Sequence, residues 1–302
     1  MNPKIKTKVK KRKGLLLFFC LPFLFLSCTH FFYHPDSHLY FDPKVVGYHY
    51  KDVYFKSSDG TKLHGWYFKN QTKEAKGTVI QFHGNAQNIS AHSPGLVWMI
   101  KNGYNLFTFD YRGFGLSEGD PHPKGVHQDA LAALKLAYQT HKGSLKGQGK
   151  FIVIGQSLGG AISARALRDF SHKEDVDLLV LDSTFASYQD VAFRALKRRA
   201  VSLILSPFAY LVVSDAYSPE EHFEKLGIRT LVIHSKKDSV VDFKNGEDVY
   251  ALLNKSEKNK TDFWVTEDPD HINFFSMVNK ENQRRFLFFL DNLEKPSLHL
   301  AR

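Results

Sequence analysis

The segment Gly155-Gln156-Ser157-Leu158-Gly159 has the spacing of a nucleophilic serine turn. A G-x-S-x-G sequence lets a strand turn sharply into a helix, with the serine hydroxyl held up at the bend. The flanking glycines leave room for the two elements to approach, and the strain falls on Ser157. Such a hydroxyl attacks an acyl carbon once a base takes its proton and backbone N–H groups receive the oxyanion. The first of these is the N–H of Leu158, at the start of the following helix. The second is expected in His83-Gly84-Asn85-Ala86, where the N–H of Asn85 is preferred to that of Ala86. His83 itself is read as structural, with its ring turned under the loop. The base is His271, the last histidine before a long amphipathic C-terminal stretch. Three aspartates compete to orient it: Asp238, Asp242 and Asp182. Asp242 is placed to cap the helix that begins near Phe243.

These groups need a scaffold that brings strand ends together. Apolar runs at 78–82, 106–109, 151–154, 178–181, 231–233 and 263–265 alternate with helix candidates near 89–101, 125–141, 158–170, 242–254 and 273–293. The first four runs lack polar alternation, as expected of strands buried on both faces of a parallel sheet. The pattern predicts an α/β fold with a mostly parallel central sheet and helices on both faces. Residues 51–56 and 62–69 read as an antiparallel hairpin around Asp59-Gly60. Residues 186–222 are too long for a single crossover helix. They are predicted to form a small helical cap over the C-terminal strand ends, where open sheets of this class bind ligands.

Composition narrows the class. A chain of 302 residues that is 43% hydrophobic and 24% charged is globular rather than disordered. The formal charge of +10 is concentrated at one end. Residues 1–13 hold seven lysines and arginines and no acid, and the remaining 34 basic residues face 31 acidic ones. The body is therefore nearly neutral, which removes the case for nucleic-acid binding. No Cys-based or H-E-x-x-H ligand spacing appears, so no metal or other cofactor is expected.

The N-terminal segment reads as an address. A basic run precedes an apolar block from Leu15 to Leu26 that is short for a bilayer span. Phe25-Leu26-Ser27-Cys28 resembles a bacterial lipobox, although that motif usually has Leu where Phe25 stands. The resemblance implies a signal peptide over 1–27, lipidation at Cys28 and a membrane-anchored lipoprotein of the cell envelope. A plain signal peptide of an exported protein, or an uncleaved anchor, is the other reading. Residues 28–50 then form an aromatic, His-rich tether, and 51–295 the folded domain.

From Lys51 to about Leu293 the chain resembles an α/β-hydrolase of the Bem46/ABHD13-like branch, close to the serine aminopeptidase S33-type hydrolases. The resemblance is carried by Leu63-His64-Gly65-Trp66, His83-Gly84-Asn85-Ala86-Gln87-Asn88-Ile89, Asp110-Tyr111-Arg112-Gly113-Phe114-Gly115-Leu116-Ser117-Glu118-Gly119, the turn at Ser157 and Asp270-His271. It implies a triad in the chain order Ser157, Asp238, His271, because that fold carries its acid in the loop after the 231–233 strand. Some relatives use the strand end where Asp182 stands. Arg112 is read as a tie between loops. Asp270 stands where the family usually has Gly, and Ser235 where the acid loop often has it.

The implied activity is hydrolysis of a carboxylic ester or thioester with an apolar acyl part, on a small-molecule or lipid substrate. The apolar run Leu203–Val213 suits such a chain. Two alternatives are an aminopeptidase, with Glu220, Glu221 and Glu224 receiving the substrate amine, and a non-catalytic lipid-anchored binding protein.

Overall fold

The computed structural model describes residues 32–145, 148–198, 200–268 and 270–293. Cys28 and the 1–27 segment lie outside these.

Ten strands and seven α-helices are described. The strands are β1 (His34–Pro35), β2 (Lys51–Lys56), β3 (Lys62–Phe68), β4 (Gly77–Phe82), β5 (Ala86–Gln87), β6 (Tyr104–Phe109), β7 (Lys150–Gln156), β8 (Leu178–Asp182), β9 (Thr230–Ser235) and β10 (Thr261–Thr266). The helices are α1 (Ile89–His92), α2 (Pro123–Leu145), α3 (Leu158–Asp169), α4 (Tyr188–Lys197), α5 (Ala209–Val212), α6 (Phe243–Leu253) and α7 (Lys280–Asp291). The main sheet has the order β10-β9-β8-β7-β4-β6-β3-β2. It is parallel from β10 through β6, and the β2–β3 hairpin closes one edge antiparallel.

Strand residues alternate between two cores. Ile80, Phe82, Val153, Leu179 and Val232 face α2, α3 and α6. Val79, Ile152, Ile154, Val180 and Ile233 face the 97–102 turn and α7. A strand turns successive side chains to opposite faces, so only continuous Val, Ile, Leu and Phe runs can feed both. The edge strand β2 instead carries exposed Lys51, Asp52 and Lys56, which discourages pairing with another chain.

From β4 the chain moves to β6 on one side, then crosses to β7 on the other. The crevice where this reversal occurs lies at the carboxyl ends of β4 and β7, the usual ligand position in such sheets.

Two predicted helices differ from what forms. The 89–101 stretch is a single turn, α1, followed by 3-10 turns at Ser93–Gly95 and Val97–Asn102. Pro94 has no N–H to continue the ladder. The 273–293 stretch becomes helical only at Lys280, where the Asn279 side chain accepts from Asn282 N–H. Phe274 and Phe275 are driven into the second core instead. Between β8 and β9 the chain forms α4, a 3-10 stretch at Ala200–Phe208, α5 and a further 3-10 turn at Glu220–Lys225.

Candidate active site

Ser157 sits between the end of β7 and the first residue of α3, with φ 54° and ψ −122°. An L-residue is strained there, at a cost of about 1–3 kcal/mol. The surroundings hold it. Its N–H donates to Asp182 O (2.8 Å), and its own carbonyl accepts from Thr184 Oγ1 (2.7 Å) and Gly160 N–H (3.0 Å). Gly155 and Gly159 are required: a Cβ on the first would strike Ser163 and Gly160, and on the second the carbonyls of Phe82 and His83. Leu158 occupies the first helical position, so its N–H has no intrahelical acceptor.

The loop after β4 lies over Ser157. A side chain at Gly84 would touch Ser157 Cβ at 3.8 Å and press on the His92 ring at 3.2 Å. Four successive carbonyls of this loop are held by four donors. Gly84 O accepts from His83 Nδ1 (2.8 Å), Asn85 O from His34 N–H (2.7 Å), Ala86 O from His92 Nε2 (3.0 Å) and Gln87 O from Asp36 N–H (3.5 Å). A peptide plane fixed through its C=O is fixed through its N–H, so the His83 bond orients the Asn85 N–H. Because carbonyls only accept, each ring nitrogen carries its proton here. Burial holds both imidazoles below their usual basicity; in His83 the neighbouring His92 adds to this. His83 thus lies under the loop as a neutral ring, against Tyr111 and Phe114.

Asp238 follows β9 and His271 follows β10. The His271 Nδ1 donates to Asp238 Oδ2 at 2.7 Å. The other carboxylate oxygen accepts from Val240 and Val241 N–H at 2.8 and 2.9 Å. Burial alone would raise the Asp238 carboxyl, but the His271 bond and the two N–H donors prevail, leaving it below the usual carboxylate range. This bond leaves His271 Nε2 as the basic lone pair, and that atom is buried without a hydrogen-bond partner. The two loops are stitched together by Ser235 Oγ on Asp268 O and Lys236 N–H on Thr266 O. Ile272, a β-branched residue, adopts φ 55° directly after His271.

The other aspartates have separate tasks. Asp242 caps α6 through Lys244 N–H. Asp182 is fully buried and accepts from Gln156 Nε2 (3.2 Å); Gln156 Oε1 in turn accepts from Gln81 Nε2. Desolvation lifts the Asp182 carboxyl to about 6. Arg112 joins the hairpin turn to α2, with Nη1 on Asp59 and Nη2 on Asp129, both at 2.8 Å. Glu220, Glu221 and Glu224 line a cleft shared with Leu252 and Lys255.

Sequence reasoning did not find His92 or the β1–β5 pairing. His92 carries no local motif. Residues 34–36 show no strand pattern, because two residues suffice for the pair.

The family model described as "Serine aminopeptidase, S33" matches residues 73–220. A YfhR protein of Escherichia coli O157:H7, described as uncharacterized, is 32% identical over 279 residues, covering 89% of this chain and 90% of its own. The lysophosphatidylserine lipase ABHD12 of Danio rerio is 28% identical over 207 residues, 64% of this chain and 51% of its own. Among solved structures, the Pyrococcus furiosus esterase Pf2001 superposes with a TM-score of 0.66 at 23% identity, over 86% of this chain and 96% of its own.

Proposed function

Because the chain belongs to the α/β-hydrolases of the Bem46/ABHD branch, we propose that it is a serine hydrolase that cleaves carboxylic esters or thioesters of apolar acyl groups. The observation that carries this reading is the His271–Asp238 bond, with an unpartnered Nε2 at the same carboxyl end of the parallel strands as strained Ser157. In this mechanism Ser157 attacks the acyl carbon as His271 takes its proton. Asp238 holds the imidazole tautomer and balances the charge that forms. The N–H groups of Asn85 and Leu158 receive the oxyanion. His271 then protonates the leaving group, and water releases the acyl group by the same steps in reverse roles.

An acyl substrate is supported by the ester-cleaving or lipid-cleaving descriptions of two similar proteins. The description of the family model favours a second reading, an aminopeptidase. Against it stands the position of Glu220, Glu221 and Glu224, whose cleft includes neither Ser157 nor His271. Attachment to the cell-envelope membrane through Cys28, with residues 28–50 as the tether and 186–222 as the cap, completes the reading.

The test is labelling of the purified protein by a fluorophosphonate, beside Ser157→Ala. Labelling of wild type that disappears in the variant is the expected result. A well-folded wild type that does not label sinks the enzyme reading and leaves a binding protein. In a substrate panel, acyl esters and thioesters should turn over faster than aminoacyl amides; the reverse order selects the peptidase.

A further inference from the structure

The segment between β8 and β9 exposes more apolar surface than a solvated helix pair needs. Ile204 is 83% exposed and Leu211 72%, and Leu203, Leu205 and Phe208 are each about half exposed or more. Contiguous patches of this kind mark a surface that meets a partner or a membrane. The patch borders the catalytic loops, since Arg198 Nη2 donates to the Asp238 carbonyl at 3.1 Å. Val240, two residues beyond that carbonyl, is also exposed.

Charge identifies the partner. From Val191 to Ser214 the chain holds no acidic residue; Arg194 is paired with Asp248, and Lys197, Arg198 and Arg199 are the further basic residues of the stretch. Apolar side chains flanked by basic ones, with no acid between, match the acyl and headgroup layers of an anionic bilayer.

The path of the chain points the same way. Phe32 packs edge-on against Tyr188, the first residue of α4, with ring centroids 5.1 Å apart. Tyr210 reaches back to the same turn, its hydroxyl on Asp190 at 2.6 Å. The apolar block Leu15–Leu26 ends six residues before Phe32, a reach of at most about 20 Å. Anything that holds that block at a membrane therefore holds α4 and α5 beside it.

We propose that the apolar, basic-flanked face formed by residues 197–198 and 202–211 lies on the surface of an anionic lipid bilayer, so that the adjoining loop that carries Asp238 lies beside the membrane. The inference rests on the acyl-hydrolase reading only in making the bilayer the source of substrate. Docking itself needs no catalysis.

The test uses the full chain carrying Ser157→Ala, reconstituted with vesicles of phosphatidylcholine and phosphatidylglycerol whose acyl chains are brominated. Trp66, Trp98 and Trp264 are buried and supply a constant background. Ile204→Trp adds an emitter on the proposed face. Lys73→Trp adds one on the β3–β4 loop, at the end of the strands opposite to the loop that carries Asp238. The expected result is loss of most of the emission added by Ile204→Trp, with that of Lys73→Trp intact, and weaker quenching in vesicles without phosphatidylglycerol. Equal, unquenched emission from both variants overturns the proposal. So does Ile204→Trp emission shielded from both bromine and acrylamide in a chain that sediments as a dimer, which would give the face to a second copy. Failure of fluorophosphonate labelling in wild type would remove the hydrolase reading and leave this quenching unaffected.

Discussion

At the scale of single residues, the two buried aspartates near the strand ends separate cleanly. Asp238 is held ionised by His271 and two N–H groups, whereas Asp182 accepts only from the Gln156 amide and, at 3.4 Å, the Ser183 hydroxyl, and is desolvated. Asp238→Asn should lower kcat by about 10⁴, the cost of losing the acid that sets the tautomer in a serine triad. Asp182→Asn should keep fluorophosphonate labelling, because Asn can still accept from Gln156. The two also differ in stability. A carboxyl raised to about 6 in the fold, against about 3.9 unfolded, binds its proton more tightly when folded. Stability from this group therefore falls as pH rises from about 4 to 6, and the penalty is complete above that. Asp182→Asn should remove it, worth about 2–3 kcal/mol at pH 8 and almost nothing at pH 4. Urea midpoints of both proteins at the two pH values measure this. An equal offset at both would rule out titration of Asp182 as the source.

At the scale of elements, the loop after β4 is the least self-sufficient part of the site. It has no regular hydrogen bonds of its own beyond the short pair with β1, and its carbonyls depend on His83, His34, His92 and Asp36. Removing one oxyanion-hole donor typically costs 10²–10³ in rate, so loosening its support should cost less. His92→Phe should lower kcat by about tenfold to a hundredfold with little change in KM. His92→Gln, which can still donate to Ala86 O, should recover part of it. A KM effect without a kcat effect would mean that His92 shapes the substrate pocket instead. Here the limits of sequence reading are clear. The strands were legible because burial on both faces demands unbroken apolar runs. The 89–101 and 273–293 stretches misled because apolar spacing suited a helix, while Pro94 and the Asn279 cap decided otherwise. His92 could not be found, because its role arises from a carbonyl six residues away that only the folded loop presents.

At the scale of the whole molecule, Arg112 links three parts distant in sequence: the hairpin turn at Asp59, the loop after β6 and α2 through Asp129. Asp129 is fully buried. Arg112→Met would leave that carboxylate without its cation, and breaking a buried pair in this way costs about 3–5 kcal/mol. Asp59 is partly exposed, so Asp59→Asn should cost far less, because water screens an exposed pair. Chemical denaturation compares the two directly; similar losses would mean that Asp129 finds another partner.

The sequence by itself determined the scaffold and the serine turn. Ser157 between glycines, two-sided apolar strands and the family motifs require only local sterics and burial, which residue types carry with them. Residue types alone left Asp238, Asp182 and Asp242 as possible partners of His271; the family resemblance pointed to Asp238, and the contact itself is made by the tertiary structure. Each follows or precedes a strand or helix in a similar way, and only the register of β8, β9 and β10 sets which carboxylate meets the ring. The same holds for residues 34–36, whose contact with the loop after β4 depends on where the sheet places both. Exposure of Leu203, Ile204, Leu205, Phe208 and Leu211 was equally hidden, because an apolar run that suits an acyl chain in the cap does not show which side chains the fold leaves uncovered.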